Sequence, residues 1–66
     1  MFYSYKQFDS DEPILLGTFD TIEEAANVCD FEIDGDRGHE CVKSLIERRY
    51  YLVGYSSTML YIEEKD

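Results

Sequence analysis

Positive charge is scarce in this chain. Fifteen Asp and Glu stand against six Lys and Arg and a single His, and the formal net charge is −9. A field of that sign repels nucleic acid and draws in basic protein surfaces, so no direct nucleic-acid contact is expected. There are only two Cys and four Gly. Two Cys inside apolar patterns do not make a disulfide framework. Four scattered Gly leave no glycine-rich phosphate loop. One His without a matching Ser, Cys or Asp pattern leaves no nucleophile–base system. No apolar run is long enough to span a membrane. These absences exclude most enzyme classes, and neither catalysis, a cofactor nor a bound metal is expected.

What is present suits a small globular body. At 66 residues the chain makes one domain, and a domain of that size buries only about 60% of its unfolded surface. Hydrophobic residues make up 44% and aromatics 15%, with six Tyr and four Phe. Rings bury much area per residue and are favoured at interfaces. The chain opens at Met1, and no targeting segment is expected. The expectation is a complete cytoplasmic protein whose thiols stay reduced.

Phe2 to Phe8 alternates, with Phe2, Ser4, Lys6 and Phe8 on one side and Tyr3, Tyr5 and Gln7 on the other, which predicts a strand. Asp9 to Pro13 is turn chemistry, and Ile14 to Phe19 completes a hairpin. Thr21-Ile22-Glu23-Glu24 matches a capping box. Ile22, Ala25, Ala26 and Cys29 follow at i, i+3, i+4 and i+7, so a helix runs from Ile22 to about Cys29. Asp30 to Gly38 is an acidic loop. A second helix spans about His39 to Arg48, with Val42, Leu45 and Ile46 inward and Lys43 and Glu47 paired outward. Tyr50 to Tyr55 is a strand, Ser56-Ser57 a turn and Thr58 to Ile62 the last strand. Residues 63–66 read as a frayed tail. The order ββααββ predicts a single α+β domain over residues 1–66, an antiparallel sheet with two helices on one face. Its expected core is Phe2 or Tyr3, Leu15, Phe19, Ile22, Ala26, Val42, Leu45, Ile46, Leu52 and Leu60.

Three clusters invite chemistry and do not complete it. Asp30-x-Glu32-x-Asp34-Gly35-Asp36 starts like a calcium loop, but position 12 is Cys41 and position 8 is Arg37. Cys29, His39 and Cys41 lack the paired spacing and the fourth ligand of a zinc site. Lys43, Arg48 and Arg49 could touch a few phosphates, but they also balance Glu40 and Glu47 on a solvated helix.

The carboxylates are distributed unevenly. Residues 1–40 hold eleven acids and two bases, and residues 41–66 hold four of each, so the whole charge of −9 sits in the first forty residues. Asp20, Glu23, Glu24 and Asp30 flank the first helix. Asp9, Asp11 and Glu12 cap the hairpin turn. Asp34, Asp36 and Glu40 line the inter-helix loop. Two readings stay open: an acidic surface that aids solubility, and one that mimics the charge of duplex DNA, which is one negative charge per about 1.7 Å of axis.

Gly17 to Ala26, reading GTFDTIEEAA, resembles the opening of the nuclease-associated modular domain, with Val42, Leu45 and Ile46 in its second helix and Gly54-Tyr55 as its closing pair. That resemblance implies a small module beside a nuclease domain, touching DNA through basic residues. Here the matching helix region is acidic and no nuclease is attached. In size, charge and aromatic content the chain is also similar to phage-encoded inhibitors of host defence, such as anti-CRISPR proteins and other DNA mimics. That likeness implies a non-enzymatic inhibitor in the bacterial host cytoplasm, occupying the basic groove of a nucleic-acid-binding protein such as a CRISPR effector nuclease. Its partner-binding residues would be Asp20, Glu23, Glu24, Asp34 and Asp36. The alternatives are a nucleic-acid-binding regulatory module using Lys43, Arg48 and Arg49, and a self-associating structural protein.

Overall fold

The computed structural model describes residues 1–32, 38–53 and 57–65. Strands β1 (Phe2–Phe8) and β2 (Ile14–Phe19) are followed by helices α1 (Ile22–Glu32) and α2 (Gly38–Arg48), then by strands β3 (Tyr50–Leu52) and β4 (Thr58–Glu64). All pairings are antiparallel, and the sheet order is β2-β1-β4-β3. The two central strands thus come from opposite ends of the chain. This is the α+β architecture in ββααββ order that the periodicity predicts.

Strand parity sets the layers. Ser4 on β1 and Thr58, Leu60 and Ile62 on β4 point the same way and are buried. Ala25, Ala26 and Cys29 of α1, Cys41 and Leu45 of α2, and Val53 complete the core above them. Phe2, Leu16, Phe19, Ile22, Val42 and Ile46 pack around its margin. The Ser4 hydroxyl donates to the Ala25 carbonyl at 2.9 Å, which ties β1 to α1 and satisfies a buried polar group. Gly17 lies beside Ser4 on β2, and a Cβ there would stand 2.8 Å from Cζ of Phe19. The bare Gly17 backbone therefore gives the Phe19 ring its place in the strand.

Four expectations are corrected. Leu15 and Leu52 are not core; they are 51% and 61% exposed. The pairing of β1 with β2 shifts register between Ser4 and Tyr5, so Leu15 pairs with Tyr5 and Leu16 supplies the inward contact. Leu52 pairs with Met59, on the side away from the helices. Tyr3 has the same outward parity, so Phe2 is the residue that joins the core margin. Helix α1 continues through Asp30, Phe31 and Glu32, because acidic residues without Gly or Pro do not end a helix. Glu63 and Glu64 are not frayed: they pair with Tyr3 and Phe2, and the Lys65 amide donates to the Met1 carbonyl at 2.9 Å. Strand β3 ends at Leu52, with Val53 outside it; Gly54 and Tyr55 of the expected strand and Ser56 of the expected turn lie outside the described residues.

Arg49 closes α2 with a positive φ of 73°, its amide donating to the Leu45 carbonyl at 3.0 Å and its carbonyl accepting from the Ile62 amide at 2.8 Å. A left-handed residue there turns the chain straight from helix into the sheet.

Two outcomes follow for denaturant titrations in dilute solution. Leu45→Ala costs about 2–5 kcal/mol, whereas Leu52→Ala costs under about 0.5 kcal/mol. Gly17→Ala, which crowds the Phe19 ring, costs about 1–3 kcal/mol. Equal losses at Leu45 and Leu52 would contradict the layer assignment.

Candidate functional site

The acids gather at particular places in the fold. Asp20, Glu23 and Glu24 are exposed where β2 passes into α1. The Glu24 amide donates to Thr21 Oγ1 at 3.3 Å, and the Thr21 hydroxyl donates to Glu24 Oε1 at 3.0 Å. The Glu24 carboxylate thus takes the Thr21 hydroxyl where the capping box predicts the Thr21 amide. Both Glu23 and Glu24 lie in the first turn, where the helix dipole favours negative charge. Register places the exposed Asp9, Asp11 and Glu12 at the opposite end of the sheet. The two poles are separated by the seven residues of β1, about 20 Å at strand rise. Asp34 and Asp36 lie outside the described residues, so the structure groups only Asp20, Glu23 and Glu24.

The three basic residues Lys43, Arg48 and Arg49 are all exposed. Lys43 and Arg48 lie on α2. Arg49 pairs with Glu64 at 3.4 Å and stands over the Phe2 ring at 5.6 Å. Arg49 is thereby engaged with the ends of β4 and β1.

The side of the sheet turned away from the helices carries a feature that sequence reading did not assemble. Leu15, Tyr5, Tyr61 and Tyr50 form one continuous row across all four strands. Gln7, Met59 and Leu52 form the next row. The Tyr5 and Tyr61 rings stack with centroids 5.0 Å apart and planes at 17°. Desolvation, then Glu63 and Tyr5, push the Tyr61 phenol above its ordinary value. Lys65 lies over the Tyr3 ring at 4.9 Å and pairs with Glu63 at 3.7 Å; Glu63 first, then the Tyr5 phenol, hold its ammonium up. The alternation of Tyr3 and Tyr5 signals this side in the sequence, but the contribution of Leu15 and Leu52 depends on register.

Between the helices lie Cys29 and Cys41, both fully buried and neither in a disulfide. Burial first, then Cys29 and Asp30, push the Cys41 thiol up to about 12. Such a thiol stays protonated and inert at neutral pH. Asp30 Oδ1 is buried without a hydrogen-bond partner, near a helix end that carries no base in its last turn. Among the described residues no three His, Cys, Asp or Glu side chains group as metal ligands. The first two ligand positions of the calcium-like loop, Asp30 and Glu32, are helical. Among the described residues no helix is long and apolar enough to cross a membrane. Comparison with protein families, curated proteins and solved structures finds no match.

The thiols give a pH prediction. Cys41 ionises near 9 when unfolded and near 12 when folded, so the unfolded state releases its proton first. Its contribution is complete below pH 9 and is lost as pH rises toward 12. Urea stability should therefore fall less steeply above pH 9 in Cys41→Ala than in the parent. Neither thiol should react with a disulfide reagent at neutral pH until the protein is unfolded. Prompt labelling of the folded protein would contradict the burial assignment.

Proposed function

We propose that this chain is a non-enzymatic binding protein that inhibits a nucleic-acid-handling enzyme by occupying its basic groove. The observation that carries this reading is the display of acid. Asp20, Glu23 and Glu24 stand exposed at one end of the fold, and Asp9, Asp11 and Glu12 at the other, on a body of net charge −9. Two poles about one strand length apart offer a groove negative charge at two separated points, as a phosphate backbone does. Lys and Arg that normally hold phosphates would pair with these carboxylates. Complementary fields of this kind raise encounter rates by up to about 10³-fold.

The setting suggested by size and composition is a phage protein acting on a host-defence nuclease such as a CRISPR effector, in the bacterial cytoplasm. Asp34 and Asp36 belong to the same proposed surface by sequence. The chemistry is competition for a site, so neither a cofactor nor a catalytic group has a part in it.

Charge reversal tests this against a target recovered from the host. Glu23→Lys with Glu24→Lys, and separately Asp34→Lys with Asp36→Lys, should weaken binding by about tenfold or more, with circular dichroism reporting an intact fold. Losses of only a few-fold in both pairs would defeat mimicry. A gel shift separates the second reading: duplex binding by the protein itself, steeply salt-dependent and lost on Arg48→Ala, would make it a nucleic-acid-binding module instead.

A further inference from the structure

The helices cover one face of the sheet only. On the other, the Leu15–Tyr5–Tyr61–Tyr50 row crosses every strand, with Gln7, Met59 and Leu52 beside it. We propose that this face is a self-association surface and that its occupant is a second copy of the chain, packed sheet to sheet about a two-fold axis. This goes beyond the inhibitor reading, which concerns the acids.

Three observations favour a second copy. The first is charge. Glu63 and Lys65 on this face are paired at 3.7 Å, so its described residues carry no net charge and offer no handle to a strongly charged partner. An identical face is neutral and apolar in the same way. The acids that give −9 lie largely at the hairpin tip and in the helix layer. Exposed charges are screened within about 8 Å at physiological salt.

The second is size. Four strands at about 4.8 Å spacing, with seven residues in each central strand, make a face about 19 by 23 Å. That is the size of a small interface, which places the expected dimer in the micromolar to millimolar range. Two packed sheets would stand about 10 Å apart, with their side chains interdigitating.

The third is placement. Tyr5 and Tyr61 lie mid-strand on the two central strands and stack on each other. Binding energy concentrates in aromatic residues near the centre of an interface. A two-fold axis lying between the two sheets, over this pair and parallel to the strands, sets each Tyr5 against the other copy's Tyr61. Leu15, Tyr50 and Leu52, all exposed in the single chain, then form the surrounding contact that excludes water.

Sedimentation equilibrium over micromolar to millimolar protein tests this. The mass should rise from 7.8 kDa toward twice that value. Association should strengthen with added salt, because the like charges of the two copies are screened; acid-to-base binding weakens under the same change. Tyr61→Lys should raise the dimer Kd by about tenfold or more. Leu52→Lys, at an exposed position that does not bear on folding, should weaken it as well, with an unchanged circular dichroism spectrum. A monomer at millimolar concentration would overturn the proposal. So would a dimer equally strong in the folded Leu52→Lys variant and in a folded Tyr61→Lys variant, since the contact would then lie elsewhere, for example on edge strand β2. So would association that weakens with salt. None of these results bears on the charge-reversal test, so the two readings can fail separately.

Discussion

The close approach of α1 to β1 is the constraint on which the other features depend. Ser4 donates to the Ala25 carbonyl at 2.9 Å across that seam. Small, fully buried groups meet there, Ser4 and Ala25, with Gly17 beside Ser4 on β2. Once the seam is closed, period-two alternation decides the facing of the side chains of β1 and β4. Thr58, Leu60 and Ile62 go beneath the helices, and Tyr3, Tyr5, Met59 and Tyr61 face outward. The open aromatic face is thus a consequence of where α1 sits.

Two surfaces with different physics result. The acids at the helix start and hairpin tip act at a distance and respond to salt. The tyrosine row acts only on contact and depends on area and shape. A protein that steers through one surface and packs through the other can meet a basic partner while paired with its own copy. Such a pair would present twice the acid display of one chain. The buried thiols and Asp30 belong to neither surface. Cys41 is silent at neutral pH because burial holds it protonated, and the unpartnered Asp30 oxygen is a local cost to the fold.

Most of the fold was legible because its elements obey simple periods. The alternation in Phe2–Phe8, the Thr21–Glu24 cap and the Ile22–Ala25–Ala26–Cys29 stripe each mark an element correctly. What could not be read was register. Leu15 and Leu52 look like core by residue type, but a shift beside Ser4 and a pairing opposite Met59 turn them outward. The end of α1 was misjudged for a related reason: acid-rich composition suggests a loop, while nothing at Asp30, Phe31 or Glu32 stops a helix. Of the proposed acidic site, Asp20, Glu23 and Glu24 group legibly because the cap fixes Glu23 and Glu24 on the first helical turn, with Asp20 just ahead of it. Asp34 and Asp36 rest on sequence alone. The open face required strands far apart in sequence to be aligned, which no local pattern supplies.

The claim that the acids take the place of a phosphate backbone is most directly tested by competition. The target enzyme's affinity for duplex DNA should be measured at rising concentrations of this protein. If the carboxylates occupy the groove, the apparent Kd for DNA rises in proportion to protein added, and saturating DNA displaces the protein completely. A ternary complex, with DNA and protein held together at undiminished affinity, would contradict the account.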